Sequence, residues 1–216
     1  MKAIYERELK SYFYSMTGYV FIAFVTMFIG IYFMVYNMIN GYPYFSYTLS
    51  STLMILMIAV PILTMRSMSD ERRSRTDQML LTAPVSVWDI VLGKYLSMVT
   101  IFAIPMAIAC LCPLIIKANG TAYLAEDYAS ILAFFLMGCV YIAIGLFISS
   151  LTESQLIAAA GTFGILLLLI LWPGLLNFLP TTAYGSLAGL LVLWSLVCFI
   201  LYRLTGHIPL SLGLEI

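Results

Sequence analysis

Residues 11–65 read SYFYSMTGYVFIAFVTMFIGIYFMVYNMINGYPYFSYTLSSTLMILMIAVPILTM, without one Asp, Glu, Lys or Arg. An α-helix rises about 1.5 Å per residue, so about 20 apolar residues cross a ~30 Å hydrocarbon layer. The run is long enough for two crossings, and Asn40-Gly41-Tyr42-Pro43 supplies a turn between them. The first two spans are therefore expected at about 18–38 and 47–66. Working outward, a charged stretch from Arg66 to Lys94 leads into a third span ending at about Ile116, where Lys117-Ala118-Asn119-Gly120 breaks it. Asp127 reads as the N-cap of a fourth span ending near Leu151. A fifth is expected from about Gln155 to Leu171, interrupted by Trp172-Pro173-Gly174, and a sixth over about 183–203. His207–Ile216 reads as the beginning of one more. The fold expected is an all-α integral membrane protein of about six transmembrane helices, forming one transmembrane domain over residues 1–216.

Composition agrees. Hydrophobic residues are 63% and charged residues 9% of the chain, against about 25% charged in an ordinary soluble domain. That much apolar surface in 216 residues would face water unless lipid covered it. A net charge of zero argues against nucleic-acid binding. Cys110, Cys112, Cys139 and Cys198 lie inside apolar runs, which suits small hydrophobes rather than a disulfide framework. Residues 2–10 mix both signs ahead of a run too long for a signal-peptide core, so no cleavable signal is expected.

Basic residues set the orientation. With the N-terminus in the cytoplasm, Lys2, Arg7, Lys10, Arg66, Arg72, Arg73, Arg75, Lys94 and Arg203 lie inside and Lys117 alone lies outside. Tyr42, Tyr44, Phe45 and Tyr47 then form an outer aromatic belt, with Tyr12, Phe13, Tyr14 and Trp88 facing them at the inner surface. Residues 1–16 read as an amphipathic helix along the inner leaflet. Tyr5, Leu9, Tyr12, Phe13 and Met16 share an arc of about 100°, while Glu6, Arg7, Glu8 and Lys10 project elsewhere. Such a helix is either a simple anchor or an elbow that transmits motion from a cytosolic partner.

The segment 66–94 is too long for a tight turn and too short for a domain. Nothing breaks a helix between Asp70 and Leu81, and Ala83-Pro84 stops it. Ser86-Val87-Trp88-Asp89 then reads as a capping box that opens the third span. The result is a short cytoplasmic helix, charged at one end and ending in Met79, Leu80 and Leu81. Those apolar residues need cover, either from the membrane surface and the N-terminal helix or from a groove on a soluble partner.

These residues carry a family likeness. Glu8-Leu9-Lys10-Ser11-Tyr12-Phe13 with Gly18-Tyr19, Leu63-Thr64-Met65-Arg66 and Asp70-Glu71-Arg72-Arg73 belong to it. So do Leu80-Leu81-Thr82-Ala83-Pro84-Val85-Ser86, Ile90-Val91-Leu92-Gly93-Lys94 and Ile144–Glu153. Over roughly residues 1–160 the chain resembles ABC-2-type ABC transporter permeases, especially the group that includes gliding-motility and copper-enzyme-maturation permeases. The resemblance implies that 66–94 is the coupling segment contacting a separate ABC ATPase. It assigns that docking to Glu71, Arg72, Arg73, Thr76, Asp77, Leu80 and Leu81. It also implies a permease dimer, homo- or heteromeric, export rather than import, and a bacterial cytoplasmic membrane. Many relatives have a proline near Met16 and a glycine near Arg75, and most continue beyond the end of this chain with another span.

No Gly-x-x-x-x-Gly-Lys-Ser/Thr loop is present, so ATP and Mg are expected on the partner and no cofactor or metal on this chain. No ionisable residue falls in the middle of an expected span, which argues against a proton- or ion-coupled carrier. His207 stands alone as a metal ligand, and no Gly-x-Ser-x-Gly motif points to hydrolysis; the chain is not expected to be an enzyme. Ala160/Gly164 and Gly185/Gly189 are small-residue pairs where helices can approach closely, within one subunit or across a dimer seam. Tyr32, Tyr36, Ser50, Ser51, Thr100, Tyr141, Thr162 and Ser195 are the polar side chains available to line a pathway. Two other readings stand beside the permease: a non-transporting membrane assembly factor that docks a soluble protein through the same segment, and a self-contained channel or carrier.

Overall fold

The computed structural model describes residues 2–69, 87–120 and 123–176. The chain divides into two compact units, Met1–Leu167 and Leu168–Ile216. Every regular element among the described residues is helical. Helix α1 (Lys2–Tyr14) is followed by α2 (Thr17–Phe33), which continues as a π-helical stretch over Met34–Ile39. Next come α3 (Ser46–Thr64), α4 (Val87–Ala109), α5 (Cys112–Asn119), α6 (Leu124–Leu151) and α7 (Gln155–Leu176). Five stretches are long and apolar enough to cross a membrane: Thr17–Ile39, Ser46–Thr64, Val87–Asn119, Leu124–Leu151 and Gln155–Trp172.

These match the first five spans expected from the sequence, and the sixth, at about 183–203, lies outside the described residues. Three boundaries differ. Helix α6 starts at Leu124, so Asp127 lies in its first turn rather than at its N-cap. The third span breaks at Cys110-Leu111 before α5 carries it on to Asn119. Helix α7 runs through Trp172-Pro173-Gly174 to Leu176. A proline removes one helical donor and crowds one turn, and apolar helices in membranes tolerate this where sequence rules for water-exposed helices would stop them.

In the first unit, α2 packs on α3 and α4, α3 and α4 both pack on α6, and α1 lies against α4 and α2. Phe21, Val25, Ile29 and Phe33 are buried at four-residue spacing, giving α2 a single buried row. Small residues set the closest approaches. A β-carbon on Gly138 of α6 would overlap the Phe102 ring of α4, which also stacks on Phe135 at 5.7 Å. One on Gly145 would overlap Thr64 of α3. With no water to drive association between spans, such close contact supplies most of the cohesion.

The bundle has two chemically distinct ends. Arg7, Lys10, Arg66 and Lys94 mark the basic end, where α3 stops and α4 begins. Tyr42, Tyr44, Tyr47 and Tyr123 mark the aromatic end, with Tyr44 and Tyr123 stacked at 5.0 Å.

Candidate functional site

Glu71, Arg72, Arg73, Thr76, Asp77, Leu80 and Leu81 lie outside the described residues, as do Gly185 and Gly189. What is described is the base from which the charged segment grows: Met65–Ser69 on one side and the first turns of α4 on the other.

Lys94 stands about 10 Å along α4 from its start, on a buried row with Ile90, Ser97, Met98 and Ile101. It is 1% exposed. Its Nζ donates to the Ser67 carbonyl at 2.8 Å and lies 3.5 Å from Glu8 Oε1. Glu8 Oε1 also accepts from Arg7 at 3.0 Å. Glu8 is 8% exposed and therefore does not project away from the apolar arc of α1. It falls at the edge of that arc beside Tyr12, one turn before it, and faces Lys94. Met16, expected in the same arc, is 72% exposed because α1 ends at Tyr14 and the chain turns at Met16 with φ 59°.

The same base is tied to α6. Ser149 Oγ accepts from the backbone N–H of Met68 at 3.2 Å and of Ser69 at 3.3 Å, and donates to the Met65 carbonyl at 3.3 Å. The Ser69 hydroxyl donates back to Met65 O. These bonds satisfy the backbone groups left open where α3 ends. Helix α1 is tied in at three further points. Tyr12 OH donates to Leu63 O of α3 at 3.4 Å, Tyr5 and Thr100 of α4 share a hydroxyl bond of 3.0 Å, and Ile4 fills the space over Gly93.

The aromatic end has a node of its own. Asn37, in the π-helical stretch, donates to Tyr42 O at 2.8 Å and Tyr44 O at 3.2 Å and accepts from Thr48 Oγ1 at 2.8 Å. The turn passes through Gly41 at φ 67°, a conformation that favours glycine. Asp127, 1% exposed, accepts from the Phe45 N–H at 2.8 Å and so caps α3 rather than its own helix. Tyr44 has its phenol pushed above the usual value by burial first, then by Tyr123 and Glu126. An open cavity of about 240 Å³ beside this node is lined by Asn37, Tyr42, Pro43 and Asn119, but every polar group of Asn37 is already used.

Of the polar residues available to a pathway, Ser50, Thr100 and Thr162 donate to carbonyls four residues earlier in their own helices. The Tyr141 hydroxyl is buried in α6 without a hydrogen-bond partner among the described residues. Ala160 and Gly164 are exposed on α7, and a β-carbon on Gly164 would meet open space. No three potential metal-ligating side chains come together among the described residues.

Five apolar stretches of crossing length define a multi-pass membrane protein. Residues 40–196, more than half of the chain, match the family model for ABC-2 family transporter proteins, and the chain belongs to that family. It is thus a membrane permease component of an ABC transporter, a system that includes a partner ATPase. No curated protein and no solved structure matches the chain. The sequence pointed to the charged segment but missed Glu8, Ser67, Lys94 and Ser149 at its base. Two signals were available: an acidic residue at the edge of an apolar arc, and a lysine on a row otherwise made of Ile90, Ser97, Met98 and Ile101.

Proposed function

We propose that this chain is the permease subunit of an exporter in the bacterial cytoplasmic membrane, paired with a second permease and driven by two ATPase subunits. Arg7, Lys10, Arg66 and Lys94 share one end of the described bundle, which by the positive-inside tendency is the cytoplasmic end. The segment between α3 and α4 then faces the ATPase. Glu71, Arg72, Arg73, Thr76 and Asp77 dock it through charge and hydrogen bonds, and Leu80 and Leu81 fill an apolar groove. ATP and Mg stay on the partner. Supporting this reading most directly, the segment lies in sequence directly between two spans: Ser69 comes five residues after α3 ends, and Val87 already belongs to α4. A push on the segment therefore reaches both spans, and tilting them switches access between the membrane faces.

A mild-detergent pull-down of the tagged chain from its native membrane tests the reading. The expected result is co-purification of a subunit with a Gly-x-x-x-x-Gly-Lys-Ser/Thr loop and ATPase activity, abolished when Leu80 and Leu81 both become Asp. Absence of any ATPase, under conditions that keep other membrane complexes whole, would leave the transporter without its engine and favour the assembly-factor reading.

A further inference from the structure

We infer that Lys94 is a positioning residue that locks the N-terminal helix onto the base of the 70–86 segment. The inference rests on the permease reading and deepens it: α1 becomes part of the element that responds to the ATPase, not an anchor in the headgroups. One ammonium group joins three elements, because Lys94 Nζ bonds Ser67 O after α3, faces Glu8 of α1 and belongs itself to α4. A helix serving only as an interfacial anchor would keep its carboxylates in water and its aromatic residues in lipid. Helix α1 instead buries Glu8 against a lysine that is 1% exposed and sends the Tyr12 hydroxyl to a backbone carbonyl of α3. Its other ties, Tyr5 to Thr100 and Ile4 over Gly93, both lie on α4, within about a turn of Lys94 or two. Ser149 adds α6 to the same base through Met68 and Ser69. Displacing the segment thus loads α1, α3, α4 and α6 at one point, and α1 passes its share to α2 through the turn at Met16.

The test uses the full chain in nanodiscs, where trypsin reaches both faces, with cleavage after Arg72, Arg73 and Arg75 followed by mass spectrometry. Glu8→Gln and Lys94→Met are each expected to speed cleavage about fivefold or more, because the base of the segment is released. Lys10→Gln, on the exposed side of α1, is expected to leave it unchanged. The double variant Glu8→Met/Lys94→Met separates a lock from simple loss of stability. With both charges gone its melting temperature returns toward wild type, yet cleavage stays fast because Ser67 O has lost its donor. Wild-type cleavage in Glu8→Gln and Lys94→Met, or a double variant that recovers slow cleavage together with stability, would overturn the inference. Because the assay needs no ATPase, its failure is distinguishable from failure of the permease reading, which shows only in the pull-down.

Discussion

The two ends of the bundle solve the same problem with different chemistry. At the basic end, α3 stops in a shell of long-range contacts: Lys94 from α4, Glu8 from α1 and Ser149 from α6, each reaching across the bundle. At the aromatic end, α3 begins under mostly local ones. Asn37 bonds Tyr42, Tyr44 and Thr48, all within eleven residues of it, while Asp127 on Phe45 N–H and Tyr123 stacked on Tyr44 come from afar. A local node closes a turn and can fail without disturbing the rest. A node assembled from four helices ties their positions together, and it sits between Ser69 and Val87, the two ends that bound the charged segment. The difference marks the basic end as the place where a perturbation spreads.

Lysine 94 offers the largest break in that contrast. Removing one member of a buried, hydrogen-bonded ion pair costs about 3–5 kcal/mol, because the other charge is left unpaired. Lys94→Met is therefore expected to lower the unfolding free energy by about that amount, measured by denaturant titration in mixed micelles. Glu8 keeps Arg7 as a neighbour, so the value should fall toward the lower bound. The double variant Glu8→Met/Lys94→Met should be at least about 2 kcal/mol more stable than the lysine single variant, since apolar replacement of both partners is often close to neutral. Equal stabilities would show that the two residues do not act as a pair.

Asn37 and Asp127 test the other half of the comparison with smaller effects. Neutral hydrogen bonds contribute about 0.5–1.5 kcal/mol each, and those between membrane helices average about 0.6. Asn37→Ala loses three and is expected to cost about 2 kcal/mol. Asp127→Ala loses one cap, about 1 kcal/mol, whereas Asp127→Asn keeps an oxygen for Phe45 N–H and should cost less than about 0.5. Amide hydrogen exchange provides the discriminating readout. Protection should fall at residues 41–45 and stay unchanged at 65–69. A loss of protection at both ends would mean that the ends are coupled and the contrast is false.

How far the sequence carried each feature follows from the range of the forces involved. Lipid demands long uninterrupted apolar stretches, so the spans at 18–38 and 47–66 were visible from residues 11–65 alone and agree with Thr17–Ile39 and Ser46–Thr64. The turn at Asn40–Pro43 was equally visible, because Gly41 and Pro43 act on their own backbone. Asp127 was recognised as a capping residue but given to the wrong helix: its partner, Phe45, is 82 residues away, and nothing local distinguishes the two helix starts. The Glu8–Lys94 pair spans a still longer separation, and a charge near a span end normally reads as facing water. The break at Cys110-Leu111 carries a local mark, Pro113 in the first turn of α5, which the run of apolar residues around it hides, whereas the passage of α7 through Pro173 depends on lipid, which local signals do not encode.

The smallest expected effect lies at the joint between the two regimes. Met16 connects α1, held by the basic-end node, to α2, which runs to the aromatic end, and it does so at φ 59°, ψ −15°. A left-handed conformation costs an L-residue with a β-carbon about 1–2 kcal/mol, and glycine avoids that cost while losing about 0.5–1 kcal/mol more chain entropy on folding. Met16 is exposed, so its side chain gives up little packing. Met16→Gly is therefore expected to raise stability by about 0.5 kcal/mol, seen as a small upward shift in melting temperature. Placed in the Lys94→Met background, the substitution should add independently, because the turn and the node share no bond; independent sites usually agree within about 0.3–0.5 kcal/mol. A gain that vanished when Lys94 was replaced would show instead that the node holds Met16 in its left-handed turn, and that the strain belongs to the lock.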